Sequence, residues 1–540
     1  MEIRKLLVAN RGEIAVRVFR TAHELGIATV AVAAPDDVNA LHVRMADQTV
    51  EIRNYLDSEE HIRAAKETGA DAIHPGYGFL SENPDFAEAV EAAGLVFVGP
   101  SPEALRVGGN KLEAKQVARS AGAPVVQEGS PEELGYPLVI KAAAGGGGRG
   151  MRVVREASEL ETALEAARRE AEAAFGDDTV FCERYVERPR HVEIQLLADG
   201  QGNVVALGER ECSIQRRHQK VLEESPSTAL DPDLRARMSE AAVSFARAIG
   251  YRSAGTAEFM LDGRDFWFLE LNGRIQVEHP VTELVTGVDL VREQLRIAAG
   301  EPLAVDEPTL DGHAVEVRLY AEDPRSFLPQ AGRIDHLSLP RTIRVDAGVE
   351  EGDEVGVAYD PMIAKLIAHG PTRDEAFLRM RDALAETNVD GLTTNLPFLR
   401  WLVRHPAVRA GRTTTAFLEE YPPLSAPPAR LPSGPWDGAW RLNLAPPPPH
   451  SAPDVDEAAH AVRPGVPGEQ STLTAPMPGT VIKVLAAAGD RVEPRQTLLV
   501  LEAMKMETPV VSPYEAVVRK VHVAEGDRVA GGAVLVELEE

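Results

Sequence analysis

Leu138-Val139-Ile140-Lys141-Ala142-Ala143-Ala144-Gly145-Gly146-Gly147-Gly148-Arg149-Gly150-Met151-Arg152-Val153-Val154-Arg155 settles the architecture of the middle of this 540-residue chain. An apolar strand ends in lysine, a glycine run follows, and residues 151–155 return as a second strand. Glycines between two strands let backbone N–H groups approach phosphate oxygens without interference from Cβ atoms. A hairpin loop with no ligand would need only the glycines; the adjoining Lys141 and Arg149 favour a lid over phosphates. The run does not open a helix, so a Walker-type fold is disfavoured.

Toward the N-terminus the pattern alternates strand and helix. Residues 3–8, 27–33, 70–74 and 95–98 are apolar strands, and residues 17–25 form a helix closed at Gly26. Continuous Val/Ile/Leu runs between helices predict a parallel sheet covered on both faces. The first strand–helix turn lacks G-x-G-x-x-G, which leaves a dinucleotide site unsupported. After the lid come longer strands and hairpins, then a mixed region with strands at 314–320 and 342–346 and a helix at 374–386. Residues 425–470 hold 11 of the chain's 39 prolines and read as a linker, semi-rigid where proline dominates. As a coil it would span roughly 35–40 Å.

Composition sets limits on function. With 84 acidic against 57 basic residues the net charge is −27, which argues against nucleic-acid binding yet permits local cationic pockets. Cys182 and Cys212 fit no zinc spacing or disulfide framework, which predicts a reducing, cytoplasmic compartment. No apolar run has the ~18 residues of a membrane span.

One such pocket is legible. Residues 255–261 and 266–271 form a hairpin around Asp262-Gly263-Arg264-Asp265, bringing Glu258 close to Glu270, with Asn272 on the same face. Two carboxylates and an amide oxygen suit Mg²⁺ or Mn²⁺ bound with nucleotide phosphates. In Arg274-Ile275-Gln276-Val277-Glu278-His279-Pro280, strand alternation would put Arg274, Gln276 and Glu278 on one face. That face offers a guanidinium for an anion, an amide to orient it and a carboxylate base. Gln215-Arg216-Arg217-His218-Gln219-Lys220 adds a dense cationic patch.

The tail repeats itself. A shift of 37 residues superposes Val481 on Val518, Gly489-Asp490-Arg491-Val492 on Gly526-Asp527-Arg528-Val529, Leu498 on Leu535 and Leu501 on Leu538. Two copies of alternating short strands predict a quasi-symmetric β-sandwich. Between them Glu502-Ala503-Met504-Lys505-Met506-Glu507 puts Lys505 at a hairpin tip between two methionines.

This tail resembles biotinyl carrier domains, in which Ala-Met-Lys-Met bears biotin on the lysine; the lipoyl relatives usually place an acidic residue before it. Residues 1–424 resemble the biotin carboxylase branch of the ATP-grasp family. The resemblance rests on Ala9-Asn10-Arg11-Gly12-Glu13-Ile14-Ala15, His74-Pro75-Gly76-Tyr77-Gly78-Phe79-Leu80-Ser81-Glu82-Asn83, the glycine lid, Arg216 to Lys220 and Arg274 to Pro280. It implies an α/β N-terminal domain (1–110), an ATP-grasp domain (111–305), a mixed C-terminal carboxylase domain (306–424), the linker (425–470) and an all-β carrier domain (471–540). It further implies ATP contacts from Lys111, Lys141, Gly147, Gly148, Glu183, Arg184, Tyr185, Val186, His191 and His218, and metal ligation by Glu258, Glu270 and Asn272. Bicarbonate would meet Lys220, Arg274, Gln276 and Val277, Glu278 would act as base, and Arg318 would stabilise the biotin enolate. Ala144 stands where the family usually has a fifth glycine, and Gly273 where threonine is common.

The family arrangement is that of a biotin-containing α subunit of an acyl-CoA carboxylase. It implies a separate carboxyltransferase subunit, a biotin–protein ligase that loads Lys505, dimerisation through the carboxylase part, and acetyl- or propionyl-CoA as acceptor. Pro435 to Leu442, with Trp436 and Trp440, resembles the start of a docking domain of longer relatives. A pyruvate carboxylase, a biotin-dependent decarboxylase, another ATP-grasp ligase or a nucleotide-binding scaffold are the competing readings.

Overall fold

The computed structural model describes residues 2–143, 151–175, 177–216, 219–306, 308–425, 472–503 and 506–539. Near the N-terminus five strands pair in parallel, in the spatial order Gln48–Glu51, Ala28–Ala33, Lys5–Val8, Ala72–His74, Val96–Phe97. The apolar runs mark four of them; Gln48–Glu51 is a polar, mostly exposed edge strand that no apolar pattern could reveal. Successive side chains divide between two cores. Leu6, Val8, Ala31 and Ala72 pack with Ile14, Val18 and Phe19 of helix Gly12–Glu24, while Leu7, Val30, Val32 and Ile73 meet Ala64, Ala65 and Phe86. Both faces are covered, hence the unbroken apolar runs. The helix starts before residue 17, and Gly26 follows its end at φ +73°, the left-handed turn glycine tolerates best.

An eight-stranded antiparallel sheet forms the middle of the carboxylase part. Its order is Asp265–Asn272, Ser253–Asp262, Arg190–Ala198, Val204–Arg216, Gln219–Ser225, His313–Tyr320, Met362–Gly370, Arg344–Ala347. The sheet runs unbroken past residues 305 and 306, because Gln219–Ser225 pairs with His313–Tyr320. Helix Arg373–Glu386 lays Phe377, Met380 and Leu384 against Val317, Leu319 and Leu366 of that sheet. A separate three-stranded sheet, Arg152–Val154, Leu138–Ala142, Val180–Arg184, carries the two strands that flank the glycine run and is backed by helix Leu160–Phe175. Gly147 and Gly148 themselves lie outside the described residues.

The tail realises its repeat strand for strand. Gly479–Val484 and Arg491–Val492 recur 37 residues later as Ala516–Val521 and Arg528–Val529. Its two four-stranded sheets each take strands from both copies: Thr472–Thr474 and Arg491–Val492 join Ala516–Val521 and Val534–Glu539, while Gly479–Val484 and Thr497–Ala503 join Met506–Val511 and Arg528–Val529. The repeat partners Val481 and Val518, Leu498 and Leu535, Leu501 and Leu538 all fall in the shared core. Ala503 pairs with Met506 across the hairpin. Lys505, like Trp436 and Trp440, lies outside the described residues. Cys182 and Cys212 are buried free thiols, and no helix among the described residues is long and apolar enough to cross a membrane.

Candidate active site

The hairpin expected at residues 255–271 is present, and its register sets Glu258 directly opposite Glu270 and Thr256 opposite Asn272. It borders a cavity of about 670 Å³ that also receives Lys111, His191, Lys220, Arg274, Gln276, Val277, Glu278 and Arg318. Burial and the neighbouring charge of Glu258 raise the carboxyl of Glu270 above its ordinary range. Burial works the same way on Glu258, but Lys220 and His191 pull it well below that range. Two facing carboxylates pushed apart in this way fit a divalent cation, which would relieve the repulsion. Asn272 turns its amide oxygen to Arg274 Nη2 at 2.8 Å. A tighter donor set, His191, Glu193 and Glu258, has ligand atoms within 4.8 Å of one another, so Glu193 joins the residues able to serve a cation.

The alternation of residues 274–280 predicts a strand, and here the structure differs. Residues 273–278 are an irregular loop that turns into helix His279–Thr286. Side chains take over the role of a neighbouring strand: His279 Nδ1 donates to the carbonyl of Gln276 at 2.7 Å, and Lys365 Nζ to that of Val277 at 2.9 Å. Ile275 enters the core as alternation requires, whereas Val277 faces the cavity together with Arg274, Gln276 and Glu278. Arg274 is stretched between Glu82 (3.0 Å), Gln276 (2.9 Å) and Asn272. Gly273 has a reason as well: a Cβ there would lie 2.8 Å from Leu105 Cδ2, and Leu105 fills the space a threonine would need.

The ammonium of Lys220 belongs to the cavity wall. Lys220 Nζ lies 2.5 Å from Glu193, 2.8 Å from Glu258 and 2.6 Å from Glu278. Burial alone would discharge it, but these three carboxylates hold its pKa well above the ordinary lysine range. Glu278 is fully buried; burial opposes its charge, yet Lys220, Arg318 and Arg210 keep it ionised far below the usual carboxylate range. Arg318 bridges Glu278 Oε2 at 3.0 Å and Glu223 Oε1 at 2.7 Å. Behind this layer Arg210, with no exposed surface, donates to Glu193, Gln195, Thr256 and Thr282.

The expected nucleotide residues divide into two groups. Lys111 and His191 line the cavity, and His191 Nε2 stands 3.1 Å from Glu258. Lys141 and residues 183–186 sit on and beside the three-stranded sheet and do not border that cavity. There Lys141 Nζ lies 2.5 Å from Glu183, which Lys115 also contacts. Burial and the charges of Lys115 and Lys111 lower Lys141 to about 7. His218 lies outside the described residues.

Glu82, Lys115, Glu193 and Arg210 escaped the sequence reading. Glu193 had one visible trace: His191-Val192-Glu193-Ile194-Gln195 alternates polar and apolar residues inside a strand buried on both faces. Such a polar stripe needs partners across the sheet.

The comparisons agree along the whole chain. Family models described as biotin carboxylase N-terminal domain, carbamoyl-phosphate synthase L chain ATP-binding domain, biotin carboxylase C-terminal domain and biotin-requiring enzyme match residues 2–105, 110–306, 316–420 and 471–538. The mouse mitochondrial methylcrotonoyl-CoA carboxylase subunit alpha is 39% identical, with 100% of this chain and 93% of that protein covered. The propionyl-CoA carboxylase alpha chain of Ruegeria pomeroyi is 48% identical over 77% of this chain and 68% of its own length, and the biotin carboxylase of Haemophilus influenzae 47% over 77% and 98%. The biotin carboxylase domain of Hydrogenobacter thermophilus 2-oxoglutarate carboxylase, a dimer in complex with MgADP, ADP and bicarbonate, superposes with a TM-score of 0.76 at 44% identity, covering 78% of this chain and 98% of that one. The chain belongs to the biotin carboxylase family of ATP-grasp ligases, enzymes that carboxylate biotin with ATP and bicarbonate, and it carries its own biotin-attachment domain as the α subunits of acyl-CoA carboxylases do.

Proposed function

We propose that bicarbonate is activated by ATP in the cavity lined by Lys220, Arg274, Glu278 and Arg318, and that the carboxyl group travels on the carrier domain to a separate carboxyltransferase subunit acting on an acyl-CoA. The observation that carries this reading is the junction of Lys220 with Glu193, Glu258 and Glu278, one of which also meets Arg318. Supporting the reading, an ammonium suited to an anionic substrate, a buried carboxylate suited to its proton and a guanidinium suited to developing negative charge are neighbours.

Arg274, Lys220, Gln276 and the backbone of Val277 bind bicarbonate in this scheme. An anion among Lys220 and Arg274 draws on the charge that holds Glu278 ionised, so the proton affinity of Glu278 rises when its substrate is in place. Glu278 then takes the bicarbonate proton while the oxygen attacks the γ-phosphorus; the bond to the β,γ-bridging oxygen breaks, ADP leaves, and carboxyphosphate is the product. Glu258, Glu270 and Asn272 would hold Mg²⁺ or Mn²⁺, which would screen phosphate charge, and Lys505 would hold biotin, which would supply a nitrogen acceptor for the carboxyl group. Lys111, Lys141, Gly147, Gly148, residues 183–186, His191 and His218 contact ATP, and the glycine lid excludes water from the intermediate. Arg318, held between Glu223 and Glu278, would stabilise negative charge developing on the acceptor when it is bound.

The relatives named for propionyl- and methylcrotonoyl-CoA favour an acyl-CoA acceptor over pyruvate; on the resemblance of the motifs alone, propionyl- or acetyl-CoA is foremost. A biotin–protein ligase, a carboxylase-part dimer and a cytoplasmic setting complete the proposal. The test is phosphate release from ATP with free biotin, with and without bicarbonate. Glu278→Gln lowers bicarbonate-dependent turnover by on the order of 10²–10⁴-fold and leaves the KM for ATP nearly unchanged. Normal turnover in that variant would remove Glu278 from the role of base.

A further inference from the structure

Two buried acids beside Arg318 have no part in the mechanism. Glu223 and Glu316 are directly paired residues of the adjacent strands Gln219–Ser225 and His313–Tyr320, and neither has any exposed surface. Paired residues of antiparallel strands leave the same face with their Cβ atoms about 5 Å apart. Glu223 Oε1 accepts from Arg318, but Glu223 Oε2 and both oxygens of Glu316 accept no hydrogen bond among the described residues. Three such acceptors in one buried spot demand a donor.

The surrounding cations do not provide it. Lys365, opposite Arg318 on the next strand, directs its ammonium to Glu13 and to the carbonyl of Val277. Lys220 is committed to its three carboxylates, Arg318 already lies between Glu223 and Glu278, and His279 is held neutral by burial. Glu278 adds a further negative charge, so ionising both members of the pair would surround Arg318 with three carboxylates and one guanidinium to serve them. Among the described residues, the source of a donor that is left is a proton on the pair itself.

We propose that Glu316 is a positioning residue of the carboxylation reaction: kept as the acid, it donates its O–H to Oε2 of Glu223 and thereby fixes the anchor on which Arg318 is aimed at Glu278 and the substrate. The inference rests on the role given above to Arg318. Burial of Glu316, helped by the negative charges of Glu223 and Glu278, outweighs the opposing charges of Lys365 and Arg318 and raises its proton affinity; burial raises Glu223 as well, against the charge of Arg318. A carboxyl–carboxylate pair of this kind holds one proton between two sites, and its titration belongs to the pair. While that proton is present Arg318 has a single-charged anchor; when the pair loses it at alkaline pH, Arg318 is drawn back from the substrate side.

Infrared difference spectra of the full-length wild-type chain in H₂O and D₂O are expected to show the carbonyl stretch of a buried protonated carboxylic acid at neutral pH. That band is lost in Glu316→Gln. The amide of this variant donates at every pH, so its kcat stays within about threefold of wild type at neutral pH and lacks the alkaline decline that wild type shows. Glu316→Leu leaves Glu223 Oε2 without a donor and lowers kcat on the order of tenfold, with little change in the KM for ATP. Glu223→Gln, which removes the charged anchor, is the second variant should Glu316→Leu fold poorly; it lowers kcat in the same way. A wild-type spectrum without the band, a band that survives in Glu316→Gln, or an unchanged alkaline limb in that variant overturns the proposal. Arg318→Met separates the two readings: full activity there refutes the assignment of Arg318, while the spectrum alone still decides the state of Glu316.

Discussion

Lys220 is the residue on which the charge of the site turns, since its ammonium contacts Glu193, Glu258 and Glu278 together. Replacing it by methionine is expected to abolish turnover and also to destabilise the fold by about 3–5 kcal/mol, because three buried carboxylates lose their common partner. Thermal denaturation without substrates measures that cost, and melting at the wild-type temperature would mean the ion pairs are not formed. At this scale the sequence was informative where charge stood out against an acidic chain: Lys220, Arg274 and Glu278 are visible from type and spacing. Arg210 and Glu193 were not, since a buried ion pair contributed by two neighbouring strands is defined only by register. Arg318 became legible through family resemblance, and its partner Glu223 only through the fold.

Among the elements, the hairpin Ser253–Asp262 and Asp265–Asn272 was fully readable, because its turn residues and two alternating strands agree. Its facing carboxylates lead to a second expectation. Glu270→Gln removes the repulsion with Glu258, so the cation-free protein should melt about 2–4 °C higher, while the rise in melting temperature on adding Mg²⁺ shrinks. Thermal scans with and without Mg²⁺ check both halves; an undiminished response to Mg²⁺ would exclude Glu270 as a ligand. The loop at 273–278 was misread as a strand because period-two alternation cannot distinguish a strand from a loop whose carbonyls are held by Lys365 and His279, residues that come from outside it. In the tail, symmetry is itself predictive. Leu498→Ala and Leu535→Ala occupy equivalent core positions and should each cost about 2–5 kcal/mol, read as increased proteolysis of the carrier part in the full chain.

Taken as a whole, the molecule is sewn together by groups that titrate. His74 accepts the Gly76 N–H on Nδ1, and its Nε2 faces Gln294 of helix Leu290–Ala298 at 3.2 Å, tying the parallel sheet to a helix more than two hundred residues away. Burial lowers His74 to about 4, and likewise His42, against an ordinary value of 6.5. A depressed histidine contributes stability above the unfolded pKa and loses it as pH falls through the folded one. Stability should therefore drop between pH 6.5 and about 4, by on the order of 3 kcal/mol for each residue. Denaturant titrations across that range test it, and a flat profile would mean that these rings are not held neutral. The division of the carboxylase part was less plain in the sequence than its individual elements, since the eight-stranded sheet continues across residues 305 and 306 and only strand pairing reveals that continuity.

The interleaving of the tail's two copies has a mechanical corollary. Because each sheet borrows from both, neither copy is a sub-fold that could peel away, and severing the backbone at the tip between Ala503 and Met506 would leave two pieces clasped like the fingers of opposite hands. The body of the tail thus rests on mutual dependence and yields only as one unit.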